Sequence, residues 1–319
     1  MPDPRTPGPP AAAPPWPAGD RINVLLLGGD AGPQRRGLRT DTMIVASIHP
    51  TTGQAALLSV PRNLKQVPLP AALARHFPCR CWPDLLNALY AYAEAHPQVV
   101  PPSPHPGATA LQHTIGQLLG LRIDHYALVD LGGFVDVIDA LGGVMLDVPE
   151  HTVIRLSPPK PGEAWRTFDI PAGRQHLDGA AALAYARNRS DSSDYVRMKR
   201  QRCLLGAVAK DVDPAALVRA FPRLVDVLRQ RVVTDIAVAE LPNLIKLAKG
   251  IQPDALKSVG LVPPRYSAGV TPDRYPIPNV PLIQQTARTI FAQPAPSEQA
   301  AAASRVETAA HSCGWSAAP

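Results

Sequence analysis

The stretch YARNRSDSSDYVRMKRQR holds Arg187, Arg189, Asp194, Arg197, Arg200 and Gln201 within fifteen positions. Asp194, Arg197 and Gln201 are three and four residues apart, so on a helix they share one face, with Asp194 at the positive N-terminal end. Arg197 from that helix, with Arg187 and Arg189 from the end of the one before it, would build a pocket that neutralises a pyrophosphate through bidentate hydrogen bonds. Spacing alone equally allows a solvated basic face. A second cluster adds to the first: GGDAGPQRRGLRTDTM supplies Asp30, Arg39 and Asp41 around a glycine-rich loop, and SVPRN supplies Arg62. Hard divalent cations such as Mg²⁺ take few carboxylates and complete their shell with water and phosphate oxygens, so two aspartates beside arginines suit phosphoryl transfer. Either aspartate alone could be a turn former or helix cap. There is no GxxxxGK[ST] pattern, so the glycines do not indicate a nucleotide-binding loop.

The elements that must position these groups follow from periodicity. INVLLLGGD is a continuous apolar run ending in glycines, as expected of a strand buried on both faces that opens into a loop where α/β proteins place their chemistry. TMIVASI and AALLSV read as a hairpin turned at Gly53, which delivers Asp41 to the start of one strand and Arg62 to the end of the other. GATALQHTIGQLLG places Leu111, Ile115, Leu118 and Leu119 on one helical face closed by Gly120, and the strand HYALVD follows. GGFVDVIDALGGV repeats the scheme before a strand VMLDV, with Phe134, Ile138 and Leu141 sharing a face. LDGAAALAYAR reads as a helix capped by Asp178, and a further helix starts near Ser193 or Asp194. Residues 215 to 250 look helical with breaks at Pro222 and Pro242, and the remainder to about residue 292 reads as a return to the sheet. The alternation predicts a layered α/β/α sandwich around a central sheet, which the hairpin makes mixed.

Composition bounds the rest. The chain has 319 residues, 45% of them apolar, a net charge of +6 and 25 arginines against 7 lysines. An arginine skew favours planar binding of phosphate or carboxylate, though codon bias explains a global excess as well, so only clustered arginines carry weight. Residues 1–19 contain eight prolines and read as a disordered tether, residues 20–293 as one catalytic body, and residues 294–319 as a disordered Ala/Ser/Pro-rich tail. No apolar run reaches 18 residues and no signal-peptide pattern opens the chain, so a membrane anchor is expected to be absent from it. Cys79 and Cys81 stand too close for an ordinary zinc pair and are read as bridged to each other, cross-linked elsewhere or free.

Four blocks in order, LRTDTMIVASIHPTTGQAALLSVPRN, IDHYALVDLGGFVDVIDALGGVMLDVPE, AGRQHLDGAAALAYARNR and SDYVRMKRQR, resemble the LytR-CpsA-Psr family, and FPCRCWPDLLNALY resembles its actinobacterial branch. The resemblance covers residues 22 to 210. It implies an α/β/α domain with an apolar lipid-binding cavity between sheet and helices. It also implies a phosphotransferase that moves a glycopolymer from a polyprenyl-pyrophosphate donor to a peptidoglycan acceptor, with Mg²⁺ (or Mn²⁺), at the extracytoplasmic face of the membrane.

Carried over by motif, Asp30 and Asp41 resemble the metal ligands, and Arg39, Arg62, Arg187, Arg189, Arg197 and Gln201 the pyrophosphate-binding set. Arg62, Asp194 and Arg197 resemble the catalytic group, with Asp194 orienting arginines or assisting deprotonation of the acceptor hydroxyl. Phe134, Val135, Ile138 and Leu141 are the candidates for the lipid wall, with plain core packing as the alternative for each. Asn63 stands where many relatives carry an aspartate, the turn between Arg189 and Asp194 is shorter than in many of them, and no additional C-terminal domain is recognisable. The same site could use water and act as a lipid pyrophosphatase. The family's historical label implies a transcription regulator, but no helix-turn-helix pattern is present and no nucleic-acid partner is expected.

Overall fold

A computed structural model of the chain describes residues 21–29, 38–156, 165–188, 193–211, 224–227, 229–290 and 307–308. The expected tether at 1–19, together with Asp30 and Arg189, lies outside them. The chain enters as β1 (Ile22–Gly29), turns into β2 (Thr40–Ile48) and returns as β3 (Ala55–Ser59). Short elements follow: β4 (Val67–Pro68), α1 (Ala71–Ala74), β5 (Cys81–Trp82) and α2 (Leu89–Ala95). Next come α3 (Pro106–Leu119), β6 (His125–Val129), α4 (Leu131–Ala140), β7 (Val144–Val148), β8 (Thr152–Leu156), β9 (Arg166–Ile170) and β10 (Gly173–Leu177). The chain continues through α5 (Gly179–Arg187), α6 (Asp194–Asp211), β11 (Val232–Thr234), α7 (Leu241–Gly250) and β12 (Lys257–Gly260). It closes with β13 (Ser267–Val270), β14 (Pro276–Pro278), α8 (Val280–Thr289) and β15 (Glu307–Thr308).

Seven strands form the central sheet in the order β11-β6-β1-β2-β3-β12-β15. The pairs β1–β6 and β3–β12 are parallel and the other four are antiparallel, so the sheet is mixed. Because successive strand side chains point to opposite faces, the apolar runs of β1 and β2 serve two cores at once. Leu25, Leu27, Met43 and Val45 enter one core with Leu89, Leu111, Ile115, Leu118 and Ile283 from α2, α3 and α8. Ile44 enters the other with Ile138, Ala182, Ala184, Leu204 and Ala207 from α4, α5 and α6, and Leu26 packs against that cluster. The result is the three-layered arrangement that the alternation predicts.

Local signals end the helices as expected. Pro106 opens α3 and Gly120 closes it at φ 64°, while the Asp130 and Asp178 side chains accept from Gly133 N at 2.6 Å and Ala181 N at 2.8 Å to cap α4 and α5. Four expectations change. VMLDV is a strand but leaves the central sheet to pair with β10, in a two-stranded sheet beneath α6. Residues 232–234 are strand instead of helix: β-branched Val232, Val233 and Thr234 satisfy the otherwise open edge of β6, and Thr234 Oγ1 donates to Tyr126 O. The C-terminal return to the sheet is β12 alone, since β13 and β14 pair with each other and α8 packs on the first core. Within the expected tail, Glu307 and Thr308 pair with Ser258 and Lys257. Cys79 and Cys81 form a disulfide with each other. Among the described residues no helix is long and apolar enough to cross a membrane.

The β2–β3 turn docks on the end of α7. Gly53 has φ 70°, and a Cβ placed on it would lie 1.8 Å from Gly250 O, closer than any contact can be. Gly53→Ala should therefore destabilise the protein by more than the roughly 1–2 kcal/mol of a left-handed alanine. Urea denaturation reads this as a lowered midpoint, and an unchanged midpoint would show that the turn moves freely off α7.

Candidate active site

The site lies where β1 ends and β2 begins, on the side of the second core. Between the pairs Gly28↔Thr42 and Gly29↔Thr40 the register slips, so Asp41 has no β1 partner and sits in a bulge. Bulges re-aim side chains, and this one turns Asp41 toward the helices that cover the sheet. Gly28 and Gly29 leave room for the residues that flank the bulge: a Cβ on Gly28 would lie 2.9 Å from the Thr42 side chain and one on Gly29 2.9 Å from that of Leu38. Arg62 follows β3, its carbonyl anchored by Asn87 N at 3.1 Å. Asp194 is the first residue of α6 and Arg197 stands one turn on.

These four charges form a closed ring. Arg62 Nη1 lies 2.7 Å from Asp41 Oδ2 and Arg62 Nε donates to Asp194 Oδ2 at 3.2 Å. Arg197 Nη2 lies 2.8 Å from Asp194 Oδ1 and donates to the Asp41 carbonyl at 3.2 Å, while its Nη1 stands 3.8 Å from Asp41 Oδ2. The Arg197 side chain is only 4% exposed, whereas the other three are between 20% and 25%. A guanidinium buried that far requires counter-charges and acceptors around it. Burial by itself would push the Asp41 carboxyl up, but the hydrogen bond and charge of Arg62, with help from Asn87 and Arg197, outweigh it and hold the group below the usual carboxylate range. Burial likewise opposes the Arg62 charge, and Asp41 with Asp194 raises that group overall.

A cavity of about 470 Å³, of ligand-binding size, opens from this ring and runs between sheet and helices. Asp41, Arg187, Arg197 and Gln201 line it at the polar end. Phe134, Ile138 and Leu141 of the expected lipid wall line it too, with Leu26 and Ile44 from the sheet. Val135 is half-buried and is not among the lining residues: its backbone packs on α5, where a Cβ on Gly179 would lie 2.4 Å from Val135 O. Arg187 is exposed at the end of α5, and Gln201 Nε2 of α6 donates to Ala186 O of α5 at 3.5 Å. Arg39 is exposed immediately before β2 and is not part of the described cavity wall. Arg200 is buried beside these groups and donates to Asn188 O at 3.2 Å.

Two features escape the sequence reading. Asn87 is 2% exposed and donates from Nδ2 to Asp41 Oδ1 at 2.9 Å, so it fixes the carboxylate that the arginines grip. Its only sequence signal is a polar residue inside the apolar run LLNALY. The second is the continuation of the α6 face: after Arg197 and Gln201, Leu204, Leu205 and Val208 also line the cavity at helical spacing. That stripe is visible in the sequence once the charged half of the helix is recognised.

Among the described residues no three His, Cys, Asp or Glu side chains come together. Asp41 offers hard carboxylate oxygens on the cavity wall, each with two lone pairs, so it suits an ion that draws most of its shell from water and phosphate.

A model of the LytR_cpsA_psr family matches residues 12–271. The chain belongs to this family. The probable cell wall biosynthesis protein LcpB of Corynebacterium glutamicum is 34% identical over 203 residues, which are 63% of this chain and 40% of that protein. The polyisoprenyl-teichoic acid–peptidoglycan teichoic acid transferase TagV of Bacillus subtilis is 24% identical over 276 residues, covering 84% of this chain and 63% of TagV. The chain thus spans between 40% and 63% of the length of these two curated relatives. The crystal structure of B. subtilis TagV is similar with a TM-score of 0.64 at 23% identity, over 86% of this chain and 99% of that one. TagT bound to LIIa-WTA is similar with a TM-score of 0.60 at 21% identity, over 86% and 90%. At these identities the structural likeness shows the family's fold.

The charge ring makes a prediction about acid stability. Asp41 is held below its ordinary value of 3.8, so its contribution is present above that pH and is lost as pH falls through the lower folded-state value. The unfolding free-energy difference between the natural protein and Asp41→Asn should be largest near neutrality and shrink below pH 3.8. A difference that stays flat down to pH 2 would mean that the ring does not stabilise the fold.

Proposed function

We propose that the protein is a phosphotransferase that attaches a glycopolymer from a polyprenyl-pyrophosphate donor to peptidoglycan at the extracytoplasmic face of the membrane. The observation that carries this reading is the α6 face. Its first two turns bring Arg197 and Gln201 to the cavity, and the next bring Leu204, Leu205 and Val208. From Arg197 to Val208 the helix rises about 16 Å at roughly 1.5 Å per residue, so one wall passes from guanidinium to aliphatic over the length of a short amphiphile. A charged diphosphate with a hydrocarbon tail matches both halves. The names of relatives such as TagV support the polymer and acceptor classes.

In the reaction, the acceptor hydroxyl oxygen forms a bond to the polymer-side phosphorus. The P–O bond to the polyprenyl phosphate breaks, and the hydroxyl proton passes to a basic oxygen or to water. Arg62, Arg187 and Arg197 neutralise charge on the bridging and equatorial oxygens. Asp194 turns one oxygen to the half-buried Arg62 guanidinium and the other to the buried one of Arg197, which favours the orienting role for it. Asp41 lines the polar end, and Asp30 and Arg189 lie outside the described residues. Mg²⁺ (or Mn²⁺) held by Asp41 would neutralise further diphosphate charge.

Arg62→Ala should lower formation of the polymer–peptidoglycan phosphodiester by at least a hundredfold, since one preorganised contact to developing charge is worth about 3 kcal/mol. Its circular dichroism should be unchanged. Full transfer by the folded variant would overturn the assignment, and release of free polymer phosphate without phosphodiester would identify a hydrolase. Chelation of divalent ions should depress the natural protein, and transfer that is indifferent to chelator would remove the metal from the site.

A further inference from the structure

The ring of charges has two sides. Asp41 and Arg197 line the cavity, whereas Arg62 and Asp194 do not. Each of these outer two is followed in the chain by a half-buried polar residue, Asn63 and Tyr195, and neither of those lines the cavity. Tyr195 lies roughly 100° round α6 from Asp194, turned away from the face that carries Arg197, Gln201, Leu204, Leu205 and Val208. Asn63 Nδ2 donates to the Tyr195 hydroxyl at 3.5 Å, which ties the loop after β3 to the first turn of α6 beside the Arg62–Asp194 bridge. In that orientation the other amide atom, Oδ1, is buried with no hydrogen-bond partner among the described residues. A buried acceptor left unpaired is destabilising, so the orientation needs a reason other than stability.

The chemistry of the pair supplies one. Because Tyr195 accepts from Asn63, its own O–H is left to donate, and the hydrogen bond it receives polarises it toward donating more strongly. The next step rests on the phosphotransferase reading, in which the leaving polyprenyl phosphate occupies the cavity. Attacking and leaving oxygens stand roughly in line across the phosphorus, so the acceptor approaches from the side of the ring opposite the cavity. We propose that Asn63 and Tyr195 belong to the acceptor subsite: Tyr195 donates a hydrogen bond to a sugar oxygen neighbouring the attacking hydroxyl, and Asn63 positions that donor. Both groups are neutral, which suits an uncharged glycan, whereas the ring beside them matches a diphosphate. Two residues further on, the Lys65 ammonium is paired with Asp273, so its charge is matched on this side as well.

The test is the initial rate of polymer transfer by the full chain, with soluble peptidoglycan fragments and polyprenyl-linked donor varied separately. Tyr195→Phe keeps the aromatic ring and removes the hydroxyl. It should raise the KM for peptidoglycan about fivefold, the size of one neutral hydrogen bond, with the donor KM and the melting temperature little changed. Asn63→Asp has the same shape but can only accept, so it should draw the Tyr195 proton away from the acceptor and raise the same KM. In the Tyr195→Phe background that substitution should have a smaller effect, because both act on one hydrogen. An unchanged peptidoglycan KM in Tyr195→Phe would overturn the proposal. So would a rise of both KM values by the same factor, which would place the pair with the donor. Equal effects of Asn63→Asp in the two backgrounds would remove its positioning role. Failure of the natural protein to transfer polymer at all would overturn the phosphotransferase reading and the acceptor subsite with it, whereas transfer that ignores Tyr195→Phe overturns the subsite alone.

Discussion

Burying a guanidinium is the constraint around which this molecule is arranged. Arg197 is nearly sealed from water, and removing an ion of that kind from solvent costs several kcal/mol unless charge and acceptors are supplied in place. They come from two distant parts of the chain, the bulge of β2 and the first turn of α6, and Arg62 after β3 closes the ring. Among the described residues the ring sets two guanidiniums against two carboxylates. Its arginines are held in position before any ligand arrives, which is the condition under which a charged group stabilises a transition state without first reorganising.

The sheet lets this polar cluster coexist with an apolar cavity. One face is filled by Leu111, Ile115, Leu118 and Leu119 of α3, all fully buried, with α2 and α8 around them. The other face is covered by α4, α5 and α6, and the space between these helices and Leu26 and Ile44 of the sheet is the cavity. Small residues govern the spacing of that layer: Gly179 lets α5 meet the backbone of α4, and Ala182, Ala184 and Ala186 bring little volume with them. Tight packing of two helices and the open space beside them thus have a common cause. A filled first core bears the strands, and the second core leaves room.

The hairpin β8–β9 extends the same division of labour. Its inner residues Ile154 and Leu156 face the second core and the cavity wall, and its outer residue Val153 meets solvent. The disulfide between Cys79 and Cys81 lies elsewhere, in the β4–β5 region under the first core, and takes no part in the site.

Local chemistry wrote most of the elements into the sequence. Continuous apolar runs became two-faced strands, Gly53 and Gly120 closed a hairpin and a helix, Asp178 capped α5, and the spacing of Asp194, Arg197 and Gln201 put them on one face. These depend on neighbours within a few residues, which a sequence contains. What the tertiary structure decided depends on register and on partners more than twenty residues away. A one-residue bulge opposite Gly28 and Gly29 turned Asp41 inward, and Asn87 became its anchor. Helix packing set Val135 against α5 while its neighbours Phe134 and Ile138 reached the cavity. VMLDV left the sheet because β10 offered it a ladder, and Val232–Thr234 became strand because the edge of β6 was open. A period of 3.6 or 2 names a face, but only the assembled layers decide what that face meets.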